Sequence, residues 1–125
     1  MIKFYDGRII SAMNFHAYGN MWIWPFNYSK NAILIKNDEI PLNLRNFYID
    51  FEIEVKSVTP TALYGNAISM VNYQSFGEAS DWMLGAHKIV AFSPELGTDQ
   101  KETETFFPNE KYIKEIINLN YKIVK

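Results

Sequence analysis

The sequence contains no cysteine, which excludes disulfide bonds, cysteine-ligated metal sites and a thiol nucleophile. It also has no basic excess. The 12 Lys and Arg stand against 14 Asp and Glu, and the formal net charge of -2 argues against a nucleic-acid partner. No apolar run approaches the roughly 20 residues that a membrane span needs. The glycine-rich phosphate loop, Gly-x-Ser-x-Gly and His-Glu-x-x-His are absent, which removes the common signatures of NTPases, serine hydrolases and one class of zinc proteases.

The sequence is rich in apolar residues. Of its 125 residues, 48% are hydrophobic and 16% aromatic, far more than disordered segments carry. The chain is therefore one globular domain or a large piece of one. Short apolar segments bounded by turn residues predict strands. These segments are Arg8 to Phe15, apolar enough for burial on both faces, Met21 to Trp24, stopped by Pro25, and Lys88 to Phe92, ended by Ser93-Pro94.

A helix is predicted at the C-terminal end of the chain. Asn109 can cap it, because an asparagine side chain accepts hydrogen bonds from the free N–H groups of a first helical turn. Apolar residues then follow at helical spacing. They are Tyr112, Ile113, Ile116, Ile117 and Tyr121. Strands interspersed with helices indicate an α/β layer architecture.

The segment from Ile40 to Val58 fits two structures. Apolar and polar residues alternate from Phe47 to Lys56, which is the period of a strand. Apolar residues also recur at spacings of three and four, as on one face of a helix, and Glu52 and Lys56 would pair on that helix. The pattern alone slightly favours the strand.

Few residues are candidates for chemistry. His16 and His87 are the two histidines of the sequence, and each lies at an end of a predicted strand, where side chains of an α/β sheet often line a crevice. Glu95 follows an apolar strand and a proline, where a carboxylate either faces solvent or serves as an acid or base. Tyr73 is by pattern an ordinary surface residue. The residue types alone do not choose among these candidates.

The order and spacing of three segments do distinguish among these candidates, because the three together resemble the zinc metallocarboxypeptidase family. Phe15-His16-Ala17-Tyr18-Gly19-Asn20, continuing to Pro25-Phe26-Asn27-Tyr28, resembles the motif of its third zinc ligand. Tyr73-Gln74-Ser75-Phe76-Gly77-Glu78-Ala79-Ser80-Asp81-Trp82 is similar to the family's Tyr-x-x-x-Gly-x-x-x-Asp-Trp segment. Phe92-Ser93-Pro94-Glu95-Leu96 resembles the strand that ends in its catalytic glutamate.

The resemblance implies a fold and a domain assignment. Residues 1–125 would be the C-terminal portion of a zinc carboxypeptidase-like domain, with the N-terminal zinc-binding half absent. The fold class would be α/β, with a partial mixed β-sheet and flanking helices. Family members carry a helix between the first two motifs, so the resemblance predicts a helix over roughly Leu42 to Val58, against the alternation.

The resemblance also assigns roles to individual residues. His16 would be a zinc ligand, and Glu95 would be the general base that takes a proton from water and passes it to the leaving amine. Tyr73 would close on the substrate near its C-terminal carboxylate. Tyr18, Asn27 and Ser80 would also bind the substrate. Neither Asn27 nor Ser80 is the acid expected for Lys or Arg substrates or a bulky apolar residue, so the side-chain preference stays open.

The zinc site implied by the resemblance is incomplete in this sequence. The family's first two ligands come from a His-x-x-Glu motif, and neither His16 nor His87 is followed by a glutamate three positions later. Because zinc hydrolases use three protein ligands, one zinc ion would bind only if the other ligands come from outside this chain. A site of His16, His87 and Glu95 would consume the base. Half of a sheet also exposes an unpaired edge, which predicts a partner chain that covers it.

The predicted function is hydrolysis of the C-terminal residues of peptides by zinc-activated water, once the missing half completes the domain. The alternative is a catalytically inactive carboxypeptidase-like subunit with a structural role in a larger assembly, which would need no metal ligands. A small unrelated α/β binding domain is a third possibility.

Overall fold

A computed structural model describes residues 8–30 and 40–125 of the chain. Its five strands form one mixed sheet in the order β1-β5-β3-β4, with β2 also paired to β5. β1 and β2 run parallel to β5, β3 runs antiparallel to it, and β4 runs parallel to β3. The elements in chain order are β1 (Ser11–Met13), β2 (His16–Ala17), β3 (Met21–Ile23), α1 (Leu42–Val58), β4 (Leu63–Gly65), α2 (Ala67–Val71), α3 (Ala79–His87), β5 (Val90–Leu96), a short 3-10 helix (Lys101–Thr103) and α4 (Glu110–Val124). The predicted α/β class with a mixed sheet and flanking helices is confirmed.

The central strand β5 continues past Pro94, so the predicted end of this strand at Ser93-Pro94 is wrong. Proline lacks the N–H that a strand interior normally uses. The N–H groups of even-numbered residues in β5 point toward the β1 side, as the bond from Val90 N–H to the Ile10 carbonyl shows. Pro94 stands opposite Phe15, in the interval between β1 and β2 where neither strand pairs. The missing N–H therefore removes no hydrogen bond from the sheet.

The predicted strand from Arg8 to Phe15 is only partly correct. It forms β1 over three residues and resumes as β2 in the same register against β5. The prediction of burial on both faces is wrong, because Ile10 is 78% exposed and Phe15 is 49% exposed. Within the described residues, β1 and β2 pair with β5 alone, so this strand lies at a sheet edge.

The hydrophobic core lies between the sheet and α1. Phe92 of β5 and Trp22 of β3 contact each other and also contact Phe51 of α1, with ring centroids 4.9 to 6.2 Å apart. Side chains alternate between the two faces of a strand, so Ser93 points to the opposite face. There its hydroxyl donates to the hydroxyl of Ser80 on α3 at 3.4 Å. Helices thus cover both faces of the sheet.

Helix α1 has the bounds that the resemblance predicted, Leu42–Val58. Its buried residues, Tyr48 and Val55, are seven positions apart and so lie on one helical face. The predicted pair of Lys56 and Glu52 also forms, with 3.5 Å between Nζ and Oε1. The alternation that favoured a strand included Ile49 and Ile53, which are exposed on this helix.

Helix α4 is confirmed, and its predicted buried stripe is partly wrong. The Asn109 side chain accepts from the N–H of Lys111 at 3.1 Å, as expected of a cap. Ile116 is buried as predicted, together with Asn120 and Ile123. Three other members of the stripe, Ile113, Ile117 and Tyr121, are 44 to 62% exposed. In the described part of the chain, no helix has the length and apolar character to cross a membrane.

Candidate active-site cleft

A cleft of about 90 Å³ opens beside the C-terminal end of β5. Its floor comes from the sheet face that carries Ser93, and its walls come from α2 and from the segment before α3. Titratable groups and small apolar side chains share the lining. The lining residues are His16, Ile23, Ala67, Val71, Tyr73, Ser75, Glu78, Ser93 and Glu95. Three residues that the motifs singled out, His16, Tyr73 and Glu95, are therefore brought together.

The sheet register places His16 beside Glu95. His16 of β2 is the register partner of Glu95 in the parallel ladder, and register partners present their side chains on the same face. On the other side of Glu95 stands Met21 of β3. The carboxylate is thus held between two strands at the end of a central strand, which fixes its direction toward the cleft.

Partial burial raises the pKa of Glu95 above its ordinary value. The neighbouring imidazole of His16 opposes this shift, and the carboxylate of Glu78 adds to it. A carboxyl whose pKa is raised binds a proton more strongly than an exposed glutamate does. This property suits a group that must first accept a proton and then pass it on.

Tyr73 lies at the rim of the cleft and is 61% exposed. The two residues that follow it are fixed by hydrogen bonds. The Gln74 side chain donates to the Tyr28 carbonyl at 2.8 Å, and the Ser75 N–H donates to the Asn27 carbonyl at 3.0 Å. The phenol therefore stands on an anchored loop and faces solvent, where it can contact a ligand that enters.

Glu78 is a second carboxylate of the cleft and was not among the candidates that the sequence singled out. The Ser75 hydroxyl donates to its Oε1, which holds the carboxylate against the same wall. Glu78 occupies an unspecified position of the Tyr-x-x-x-Gly-x-x-x-Asp-Trp segment, so the motif does not mark it. No other feature of the sequence indicates that it approaches Glu95.

Asn27 and Ser80 are placed behind the cleft wall and are absent from its lining. Asn27 is fully buried; its Nδ2 donates to Asp81 Oδ1 at 3.0 Å, and its Oδ1 accepts from the Ala67 N–H at 2.7 Å. Ser80 is 2% exposed and accepts from Ser93. Their predicted contact with substrate stays a prediction.

Tyr18 and His87 lie away from this cleft. The Tyr18 ring packs edge-to-face on Phe106 with the centroids 4.8 Å apart. His87 ends α3, and its ring lies 4.6 Å from that of Trp82. A role for Tyr18 in substrate binding therefore stays a prediction too.

The donors at the cleft do not by themselves make a zinc site. His16 is its single histidine, since His87 packs on Trp82. Across residues 8–30 and 40–125, no three His, Cys, Asp or Glu side chains are grouped so that they could hold a metal ion. A catalytic zinc needs three protein ligands, so the described residues supply at most one ligand of such a site.

The layered fold and the cleft define the class of protein. A histidine and a glutamate stand side by side at strand ends in a helix-flanked mixed sheet, with a tyrosine at the rim of the cleft that they line. The sequence model of the zinc carboxypeptidases matches residues 1–123, and the chain belongs to that family. The resemblance read from the three motifs is thus confirmed. No individual curated protein matches the sequence significantly.

Proposed function

We propose that this chain is the C-terminal part of a zinc carboxypeptidase catalytic domain, and that the completed domain removes C-terminal residues from peptides. The observation that carries the proposal is the alignment of His16 with Glu95 across β2 and β5, in one cleft with Tyr73. These residues match the family's motifs in type and order.

Each of the three residues has a role that its surroundings support. Glu95 accepts a proton from the attacking water and later gives it to the leaving amine, which its raised pKa favours. His16 is exposed and can offer one imidazole nitrogen to zinc. The exposed phenol of Tyr73 can donate a hydrogen bond to a bound peptide end. The remaining zinc ligands must come from outside the described residues.

We further propose that a partner chain pairs with the β1 and β2 edge. The backbone N–H and carbonyl groups of the even-numbered residues in this edge strand point toward β5. Two hydrogen bonds show this, one from the Asn14 N–H to the Phe92 carbonyl and one from the Val90 N–H to the Ile10 carbonyl. The backbone groups of the odd-numbered residues, Ser11 to Ala17, therefore point away from the sheet. Within the described residues they face no other strand. An extended segment can add there.

An apolar groove beside this edge supports the same proposal. It has a volume of about 200 Å³ and is lined by Ala17 of β2, by Leu96 of β5 and by side chains of α4 such as Ile113 and Ile117. Alternate side chains of an added strand would reach this groove. Apolar surface of this kind is typically covered by another chain.

The test is to isolate the chain, tagged after Lys125, from its native source together with any companion, and to measure zinc per chain and hydrolysis of a blocked dipeptide. We expect about one zinc ion per complex and measurable hydrolysis. Replacing Glu95 with Gln should leave zinc bound and reduce hydrolysis at least a hundredfold, because the proton acceptor is lost.

Histidine substitutions provide the matched control. His16→Ala should remove zinc and activity, since three ligands become two. His87→Ala should retain both, because His87 packs on Trp82 away from the cleft. Finding neither metal nor hydrolysis in the intact complex would contradict the proposal and favour a structural subunit.

A further inference from the structure

Helix α1 carries an apolar stripe on the side that faces away from the core. Leu42, Ile49 and Ile53 are spaced seven and four residues apart, so they share one helical face, and they are 43 to 67% exposed. The buried residues Tyr48 and Val55 hold the other face of the helix on the sheet. A strand added beside β1 and β2 extends the sheet sideways and does not cover the outside of the helix layer. The stripe therefore requires a different occupant.

Acidic side chains flank this stripe. Asp50 and Glu54 are exposed one helical turn apart, and each follows an isoleucine of the stripe in the sequence. The charge of Lys56 is balanced by Glu52, with 3.5 Å between Nζ and Oε1, so Asp50 and Glu54 leave the flank negative. A surface complementary to this one presents apolar side chains beside cations.

The C-terminal half of α4 is such a surface. Tyr121 and Val124 are 62% and 37% exposed and do not belong to the lining of the groove beside β1 and β2. Lys122 and Lys125 are exposed next to them in the sequence, and no acidic residue follows Glu115. The apolar residues and the cations thus complement the stripe and the acidic flank of α1.

The two surfaces lie side by side on one molecule. Helices α1 and α4 contact each other, and Val55 of α1 and Ile123 of α4 join the same core on one face of the sheet. A two-fold axis between the helices sets α1 of each copy on α4 of the other, because every contact of a two-fold dimer occurs twice. We propose that a second copy of this chain covers the stripe in this way. The dimer depends neither on catalysis nor on the companion at the β1 and β2 edge.

Sedimentation equilibrium of the full chain, purified with any companion that stays bound, counts the copies in each particle. We expect two copies of this chain. Ile53→Ser should weaken their association at least tenfold, because a central apolar contact is lost. The matched control is Leu63→Ser, which removes a 50% exposed aliphatic side chain from β4 and should dimerise like wild type. Equal association of Ile53→Ser and wild type contradicts the proposal.

Charge reversal distinguishes this pairing from any other self-association. Asp50→Lys combined with Glu54→Lys sets cations against the lysines of α4, and Lys122→Glu combined with Lys125→Glu sets acids against the acids of α1. Each double variant alone should dimerise about tenfold more weakly than wild type. An equimolar mixture should regain the wild-type affinity, because a dimer with one copy of each pairs opposite charges at both contacts. A mixture no tighter than the separate variants, or one copy of the wild-type chain per particle, overturns the proposal.

Discussion

Asn27 illustrates how residues that never face the cleft determine its shape. Its buried side chain joins three segments that are distant in sequence: the loop after β3, the first residue of α2 and the carboxylate of Asp81 on α3. Burial raises the pKa of Asp81, while the hydrogen bonds from Asn27 counteract that rise. Asn27 thus supports Ala67 and Ser75, both of which line the cleft.

Replacing Asn27 with Ala should lower the free energy of unfolding by about 3 kcal/mol, because the Ala67 N–H and the Asp81 carboxylate each lose a buried partner. Urea denaturation followed by circular dichroism measures the change. The matched control is Asn46→Ala on the exposed face of α1, which should stay within about 0.5 kcal/mol of wild type. Similar stability of the two variants would contradict this role.

At the scale of elements, a polar cluster ties the end of α1 to the loop after β5. The Asp99 carboxylate accepts hydrogen bonds from the hydroxyls of Thr61 and Thr59 and from the Asn20 amide. These bonds, that from Thr61 first, lower the pKa of Asp99. The cluster connects the end of α1 to the start of β3 and to the loop after the end of β5.

The lowered pKa of Asp99 predicts a loss of stability in acid. The folded-state pKa lies below the unfolded-state pKa, so the stabilisation is fully present above the unfolded-state value, near 4, and is lost as the pH falls through the folded-state value. The drop in the urea midpoint between pH 6 and pH 3 should therefore be smaller in Asp99→Asn than in wild type.

Asp50→Asn provides the comparison, because Asp50 is exposed on α1 outside this cluster. Because Asp50→Asn leaves the hydrogen bonds to Asp99 in place, its urea midpoint should drop more between pH 6 and pH 3 than that of Asp99→Asn. If Asp99→Asn shows the same acid drop as wild type, the cluster does not contribute to the pH dependence.

Helix α1 shows what periodicity can and cannot decide. Phe47, Ile49 and Ile53 are all more than 40% exposed, and their presence among polar neighbours produced the alternation of a strand. The apolar residues of the same segment also recur at spacings of three and four, as on one face of a helix. Only the resemblance to a family resolved the choice, because both periods were present in the same residues.

At the scale of the whole molecule, the open edge of β1 and β2 makes a prediction about association. Ser11→Pro removes an outward N–H and leaves the bonds to β5 intact, so it should weaken binding of a companion strand about tenfold without changing the urea midpoint. Titration of the tagged chain with its companion measures the affinity.

The paired variant Ser11→Ala keeps the backbone N–H and should bind like wild type. Equal affinity of the two variants would show that no strand adds at this edge. A native chain that sediments as a monomer without any companion would contradict the proposed partner altogether.

The sequence by itself determined the family and the helix cap at Asn109, and its motifs singled out His16 and Glu95 as candidates. These follow from motif order and from local hydrogen-bonding chemistry, which short segments encode. The apolar pattern ended β5 at Ser93-Pro94 and only the resemblance carried the strand on to Glu95, because a proline is tolerated there only where the neighbouring strands do not pair, which the pattern does not show.

Only the tertiary structure decided which side chains face the cleft. Asn27 satisfies buried backbone and carboxylate groups, so its polar atoms are used inside the protein, whereas Glu78 from an unmarked motif position reaches the cleft beside Glu95. The reason is physical: the direction of a side chain depends on which buried polar groups need a partner, and those groups come from segments far apart in the sequence.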